Sequence, residues 1–173
     1  MNRAIVIHII RFLVVVLLQV LVLRRATLAW DDFPYVQILM YPVFIMLLPL
    51  RMQPIYVILW AFALGMAVDV FYNSPGVHAS ASLFTAFIRM GILRQLAPRG
   101  GYTATHNPNK AALGWEWFLR YAAILLTCHL FFYFSVEYFT FVYILQILLK
   151  TIGSFIASMI FIIMFVAVFN PKE

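Results

Sequence analysis

An ionisable side chain inside a long apolar run needs a physical reason to be there, because a bare charge in hydrocarbon is costly. Asp69 is the sharpest case in this sequence. It sits in Gly65-Met66-Ala67-Val68-Asp69, one helical turn before the polar run Asn73-Ser74-Pro75-Gly76. A carboxylate there must find a donor, a cation or water. One reading makes it a ligand site, a proton carrier or a contact to a partner helix. The other makes it a cap on the turn at 73–76, or the partner of a nearby basic group. His78, just after Gly76, suits a hydrogen bond at the same end.

The remaining polar groups are scattered. His8, Arg11 and Gln19 share one face of a helix at 3.6 residues per turn. That stripe faces other helices, or Arg11 snorkels toward headgroups; Arg89 and Arg120 are read as snorkelling in the same way. Lys150 lies about eleven residues into the last apolar segment, roughly 16 Å at 1.5 Å per residue. It needs a buried acceptor or a water-filled cleft, and Asp69 is a candidate partner. His129 and Glu137, eight residues apart, share a face but are too few to hold a metal. Cys128, alone in the chain, reads as a small apolar residue. No Ser/His/Asp arrangement is legible, and Gly100-Gly101 lacks the lysine and spacing of a phosphate loop. The expectation is a protein without catalytic residues, cofactor or metal.

The elements that must position these residues follow from composition. Charged residues are 10% of the chain and hydrophobic ones 65%, with a mean hydropathy of +0.98. An average soluble domain carries about 25% charged residues, so this chain cannot coat a globule for water. A bilayer core needs about 20 apolar residues per helix. The sequence predicts an all-α integral membrane domain over 1–173 with six spans, at about 4–23, 34–50, 55–72, 77–96, 116–136 and 139–169, and one long polar loop at 97–115. Pro42 and Pro49 should kink or stop the second span by removing backbone donors. Arg24-Arg25 and the absence of a small-x-small cleavage site make the N-terminal apolar run an uncleaved helix.

Arg3, Arg51, Arg94, Arg99, Lys110 and Lys172 fall on one side of this arrangement, and only Arg24 and Arg25 on the other. That excess puts both termini and the long loop in the cytoplasm. The net charge of +6 thus reads as orientation rather than nucleic-acid binding. Trp30, Tyr35, Tyr56, Tyr72, Trp115, Trp117 and Tyr138 fall near span ends, where an aromatic belt sits. Ala61-x-x-x-Gly65, Gly153-x-x-x-Ala157 and Ser154-x-x-x-Ser158 predict close helix contacts, as do the small residues Ala79 to Ser82 at the start of the fourth span.

Gly65-x-x-x-Asp69 followed by Asn73-Ser74-Pro75-Gly76-Val77-His78-Ala79, in a small six-span chain, resembles MreD, the rod shape-determining membrane protein family of bacteria. The Pro98-Arg99-Gly100-Gly101-Tyr102 segment looks like the version found in Bacteroidota-type bacteria. The resemblance implies a non-enzymatic component of the cell-elongation machinery in the inner membrane, supporting lateral peptidoglycan synthesis. Its partners would be MreC and, through it, MreB, RodA and a class B penicillin-binding protein. Gly65, Asp69, Pro75, Gly76 and His78 would then form a partner-binding or structural motif. The family is also similar in fold to the substrate-binding S-components of energy-coupling-factor transporters, which leaves a lipid or small-molecule binding module as the alternative. In that case His8, Arg11, Gln19, Asp69 or Lys150 would converge on an enclosed cavity.

Overall fold

The computed structural model describes residues 3–26, 28–30, 33–102 and 108–169. The side chains of Arg3, Trp30 and Tyr35, and residues 31, 32, 107 and 172, lie outside the described residues. Among the described residues, six α-helices carry the fold: α1 Arg3–Leu17, α2 Pro42–Met46, α3 Pro54–Tyr72, α4 Val77–Gln95, α5 Lys110–Tyr138 and α6 Ile144–Val168. Helix α1 continues through a π turn, Leu18–Val22, and a 3-10 turn, Leu23–Ala26. A short antiparallel pair, β1 Leu28–Trp30 and β2 Phe33–Val36, then reverses the chain.

Among the described residues, four stretches are long and apolar enough to cross a membrane: Val6–Arg25, Pro54–Tyr72, Trp115–Tyr138 and Ile144–Val168. Their outward faces carry exposed apolar side chains at helical spacing. Ile10, Leu13, Leu17 and Leu21 line α1 and its continuation, and Leu145, Leu149, Ile152, Ile156 and Ile160 line α6. Stripes of this extent are not sustained against water, and the chain has the make-up of a multi-pass membrane protein. Helix α4 is as long as α3, at 19 residues, but carries His78, Ser82, Thr85 and Arg89 inward.

The helix ends follow from local chemistry. Pro54 opens α3 at a first-turn position where no backbone donor is lost. Asn73 closes it in the left-handed region at φ 52°, a conformation Asn tolerates. Gly76, at φ 87°, precedes α4. Asn109 Oδ1 caps α5 by accepting from Ala112 N at 2.9 Å. Helix α5 therefore begins inside the stretch expected to be loop, and Gly114 at φ 83° breaks its first turn from the long helix that follows. Helices α3 and α4 form a tight hairpin. A Cβ on Gly65 would stand 2.4 Å from Ala79 Cα, so the backbones meet where the small-residue pattern put a contact.

The second expected span, 34–50, is not one continuous helix. Residues 33–36 are strand, 37–40 have no regular structure, and only Pro42–Met46 are helical. Pro42 opens α2 rather than interrupting it, and Pro49 lies beyond its end. Even so, every residue from Ile38 to Leu48 is buried. The segment runs through the centre of the bundle, among α1, α3, α4, α5 and α6.

Candidate functional site

Backbone that is not helical cannot be left unpaired in a low-dielectric interior, where each orphaned group costs several kcal/mol. The polar residues of this chain are arranged largely to meet that demand. Gln19, fully buried on the π turn that continues α1, serves residues 38–41. Its Oε1 accepts from Met40 N at 2.8 Å and Tyr41 N at 3.2 Å. Its Nε2 donates to Ile38 O at 2.9 Å and to the Tyr72 hydroxyl at 2.8 Å. From α6, Ser154 Oγ accepts from Gln37 N and Ser158 Oγ from Leu39 N, both at 2.9 Å. The serine pattern in α6, read from sequence as a helix contact, thus docks irregular backbone instead.

The far end of the same segment is met by cations and a phenol. Arg11 Nη1 donates to Leu47 O at 3.3 Å. Arg89 Nη2 donates to Leu48 O, and the Tyr121 hydroxyl donates to Met46 O at 3.2 Å. These carbonyls lie at and beyond the C-terminus of α2, the negative end of its dipole, where cations are favoured. Arg89 Nε also donates to Tyr121 Oη at 3.2 Å. Arg89 is therefore not a snorkelling residue. It is fully buried, because Leu48 O and Tyr121 hold it inward. Arg120 is exposed and pairs with Glu116 one turn away at 2.5 Å. Nearby, Tyr102 on the polar loop donates to Leu93 O at 2.6 Å, and its partial burial pushes the phenol above its ordinary value.

The Asp69 cluster forms a second polar group. Asp69 is buried and its two oxygens accept five hydrogen bonds. They come from Ser74 Oγ at 3.0 Å, Gly76 N at 3.1 Å, His78 N at 2.9 Å, His78 Nδ1 at 3.0 Å and Ala79 N at 2.9 Å. Three of these are backbone donors at the start of α4, groups that a helix cannot satisfy internally. Asp69 on α3 thus caps α4, doing the work of the missing side-chain cap at Gly76. Of the two readings of Asp69 offered by the sequence, the cap is the one its geometry matches. Pro75 is exposed in the turn and lines, with Met66, Asp69, Val70, Asn73 and Gly76, an open depression of about 390 Å³.

Lys150 does not pair with Asp69. Its Nζ lies 3.5 Å from Glu137 Oε2 and over the Tyr138 ring, 4.7 Å from the centroid. The reason is where α6 begins. Phe139, at φ 53°, ends α5, and α6 starts only at Ile144. Lys150 is therefore under two turns from the start of its helix, beside the end of α5. His8 is buried on α1. The candidates His8, Arg11, Gln19, Asp69 and Lys150 do not converge on one cavity: Gln19 and Arg11 serve opposite ends of the broken segment, and Asp69 and Lys150 bond within other hairpins.

Sequence reasoning missed several members of this framework. Tyr41 and His129 bond each other at 2.8 Å, and His129 Nδ1 lies 2.7 Å from Thr85 Oγ1. Tyr133 takes a hydrogen bond from Gln37 Nε2 at 3.1 Å. Tyr72 and Trp117, expected in an interfacial belt, turn inward to Gln19 and to Leu96 O, whereas Tyr56 and Trp115 are exposed. Gln37 inside an apolar stretch was the legible signal; the tyrosines gave none. Among the described residues, no three His, Cys, Asp or Glu side chains are grouped to hold a metal.

The class of molecule is a helical membrane-type bundle built around a broken, internally capped segment. Compared with models of known protein families, with curated proteins and with solved structures, the chain matches none.

Proposed function

We propose that this chain is a six-span, non-enzymatic inner-membrane component of the bacterial cell-elongation complex. In this reading it is MreD-like and binds MreC, and through it MreB, RodA and a class B penicillin-binding protein. Helix α4 and the broken segment 37–48 supply the fourth and second spans, and both termini are cytoplasmic. The observation that carries the reading is the use made of the polar residues. Gln19, Arg89, Ser154 and Ser158 bond the chain's own backbone, and Asp69 caps its neighbour. A bundle that spends its polar groups on its own rigidity, and shows apolar faces on α1, α3 and α6, is suited to bind other membrane helices. Gly65, Asp69, Gly76 and His78 build one stiff hairpin from the same residues that carry the family resemblance.

The alternative, a lipid-binding module, is favoured by one feature. A laterally open groove of about 200 Å³ is lined by Leu18, Val22, Met40, Phe161, Phe165 and their neighbours, with almost no polar surface. Co-purification in detergent with MreC of the same organism tests both. The scaffold reading expects wild type to retain MreC, and a folded Asp69→Ala variant to retain less. Folded wild type that captures no MreC but carries a bound lipid would put the alternative first.

A further inference from the structure

The irregular backbone of residues 37–40 is held between two elements. Gln19 of the π turn bonds Ile38, Met40 and Tyr41. Ser154 and Ser158 of α6 bond Gln37 and Leu39. A helix in this position would fill a layer about 10 Å across, which an irregular chain does not. The space left over is the laterally open groove of about 200 Å³. Leu18 and Val22 of the π turn, Met40 of the irregular chain, and Phe161 and Phe165 of α6 all line it.

The lining decides the kind of occupant. It presents almost no polar surface, and an ordered water needs about 2–4 polar partners. A partner helix is too large, since one turn about 10 Å across and 5.4 Å high fills about 400 Å³, twice the groove. A single hydrocarbon chain meets both conditions. Met40 and Met164 are flexible enough to close around it.

Charge narrows the class further. Leu23 also lines the groove, and Arg24 and Arg25 follow it directly, both exposed. They end the apolar stretch Val6–Arg25, at the depth where lipid headgroups meet a spanning helix. Arg24 lies over the Tyr72 ring, 5.5 Å from the centroid, which holds its guanidinium beside the end of α3. An apolar slot that ends at two cations is complementary to an amphiphile with a hydrocarbon chain and an anionic head, and guanidinium groups suit phosphate oxygens in particular. We propose that the groove holds one acyl chain of an anionic phospholipid whose phosphate is bound at Arg24 and Arg25. The chain takes the place of the helix that the broken segment does not form. This inference rests on the lipid-binding reading of the groove, names its ligand class, and does not require MreC.

The test is native mass spectrometry of the full chain, released from micelles that contain equal amounts of phosphatidylglycerol and phosphatidylcholine with the same acyl chains. Wild type is expected to hold one phosphatidylglycerol in clear preference to phosphatidylcholine. Arg25→Gln should lower that preference about fivefold, the factor for one basic residue at an anionic surface. Replacing Arg24 by Gln as well should remove the preference while either lipid is still held. Val22→Trp places an indole in the groove and should abolish retention of both. Equal retention of the two lipids by wild type would overturn the anionic class and leave the lipid-binding reading standing. Folded wild type that holds neither lipid would overturn both. These two outcomes are read on wild type, whether or not a variant folds. Phosphatidylglycerol held undiminished by Val22→Trp would put the lipid elsewhere and overturn the groove as its site.

Discussion

The two ends of the segment 37–48 solve one problem in opposite ways. At 37–41 the exposed need is mainly for acceptors, since four backbone N–H groups point at side chains, and neutral oxygens of Gln19, Ser154 and Ser158 meet them. At 46–48 the need is for donors to carbonyls, met by Tyr121, Arg11 and Arg89. The difference follows from polarity. Backbone N–H groups donate to a neutral oxygen at little desolvation cost, whereas carbonyls at a helix C-terminus carry a partial negative charge that can hold a guanidinium. Arg11 and Arg89 thus each meet a backbone carbonyl of this segment.

That contrast can be broken in steps. Gln19→Leu removes the partner of two N–H groups, one carbonyl and one phenol together. At about 1–3 kcal/mol for a buried group left unmet, less some relaxation, a loss of about 3–5 kcal/mol is expected in a detergent unfolding titration. Gln19→Glu keeps the acceptor but loses the amide donor, and should lie between that variant and wild type. Arg89→Met should cost about 2–3 kcal/mol through the exposed need at Leu48 O and Tyr121. Arg89→Lys should recover only part, since a lysine cannot reproduce the fork that bonds both. If Arg89→Met were as stable as wild type, the cation at this end would not be serving the carbonyl.

Gly65→Ala tests the hairpin outside the segment. Its Cβ would meet backbone, not a flexible side chain, so helices α3 and α4 must part at a cost of about 1–3 kcal/mol. Ser158→Ala removes one acceptor from Leu39 N and should cost about 1 kcal/mol, in line with interhelical bonds in membranes. Arg120→Ala sits at the bottom of the scale. Its ion pair with Glu116 is exposed, and no measurable change in unfolding midpoint is expected. A clear loss there would mean that surface charge, not backbone capping, stabilises this protein.

How much was legible varies by element. Helix α3 lies at Pro54–Tyr72 where the sequence placed 55–72, and α4 at Val77–Gln95 where it placed 77–96. Both are bounded by Pro, Asn and Gly signals that act locally. Asp69 is conspicuous as a carboxylate in an apolar run, and a cap is one of the roles that its position beside the turn at 73–76 allows. Lys150 was misplaced because the left-handed Phe139 gives no compositional warning of where α6 begins. The stretch 34–50 departs from a continuous helix because an apolar run of this length looks the same in sequence whether helical or irregular. What separates the two is whether partners exist for its backbone, and those partners lie far away in sequence: Gln19 is 21 residues from Met40, and Ser158 is 119 from Leu39.

By itself, then, the sequence determined the solvent, the helices with strong end signals and the residues that needed explaining. Burial preference and capping act within a few residues, so they can be read along the chain. Only the tertiary structure decided what Gln19, Arg89, Tyr41 and the α6 serines are for. A hydrogen bond depends on position in space, and α1, α4, α5 and α6 must all be packed before the broken segment has anything to bond.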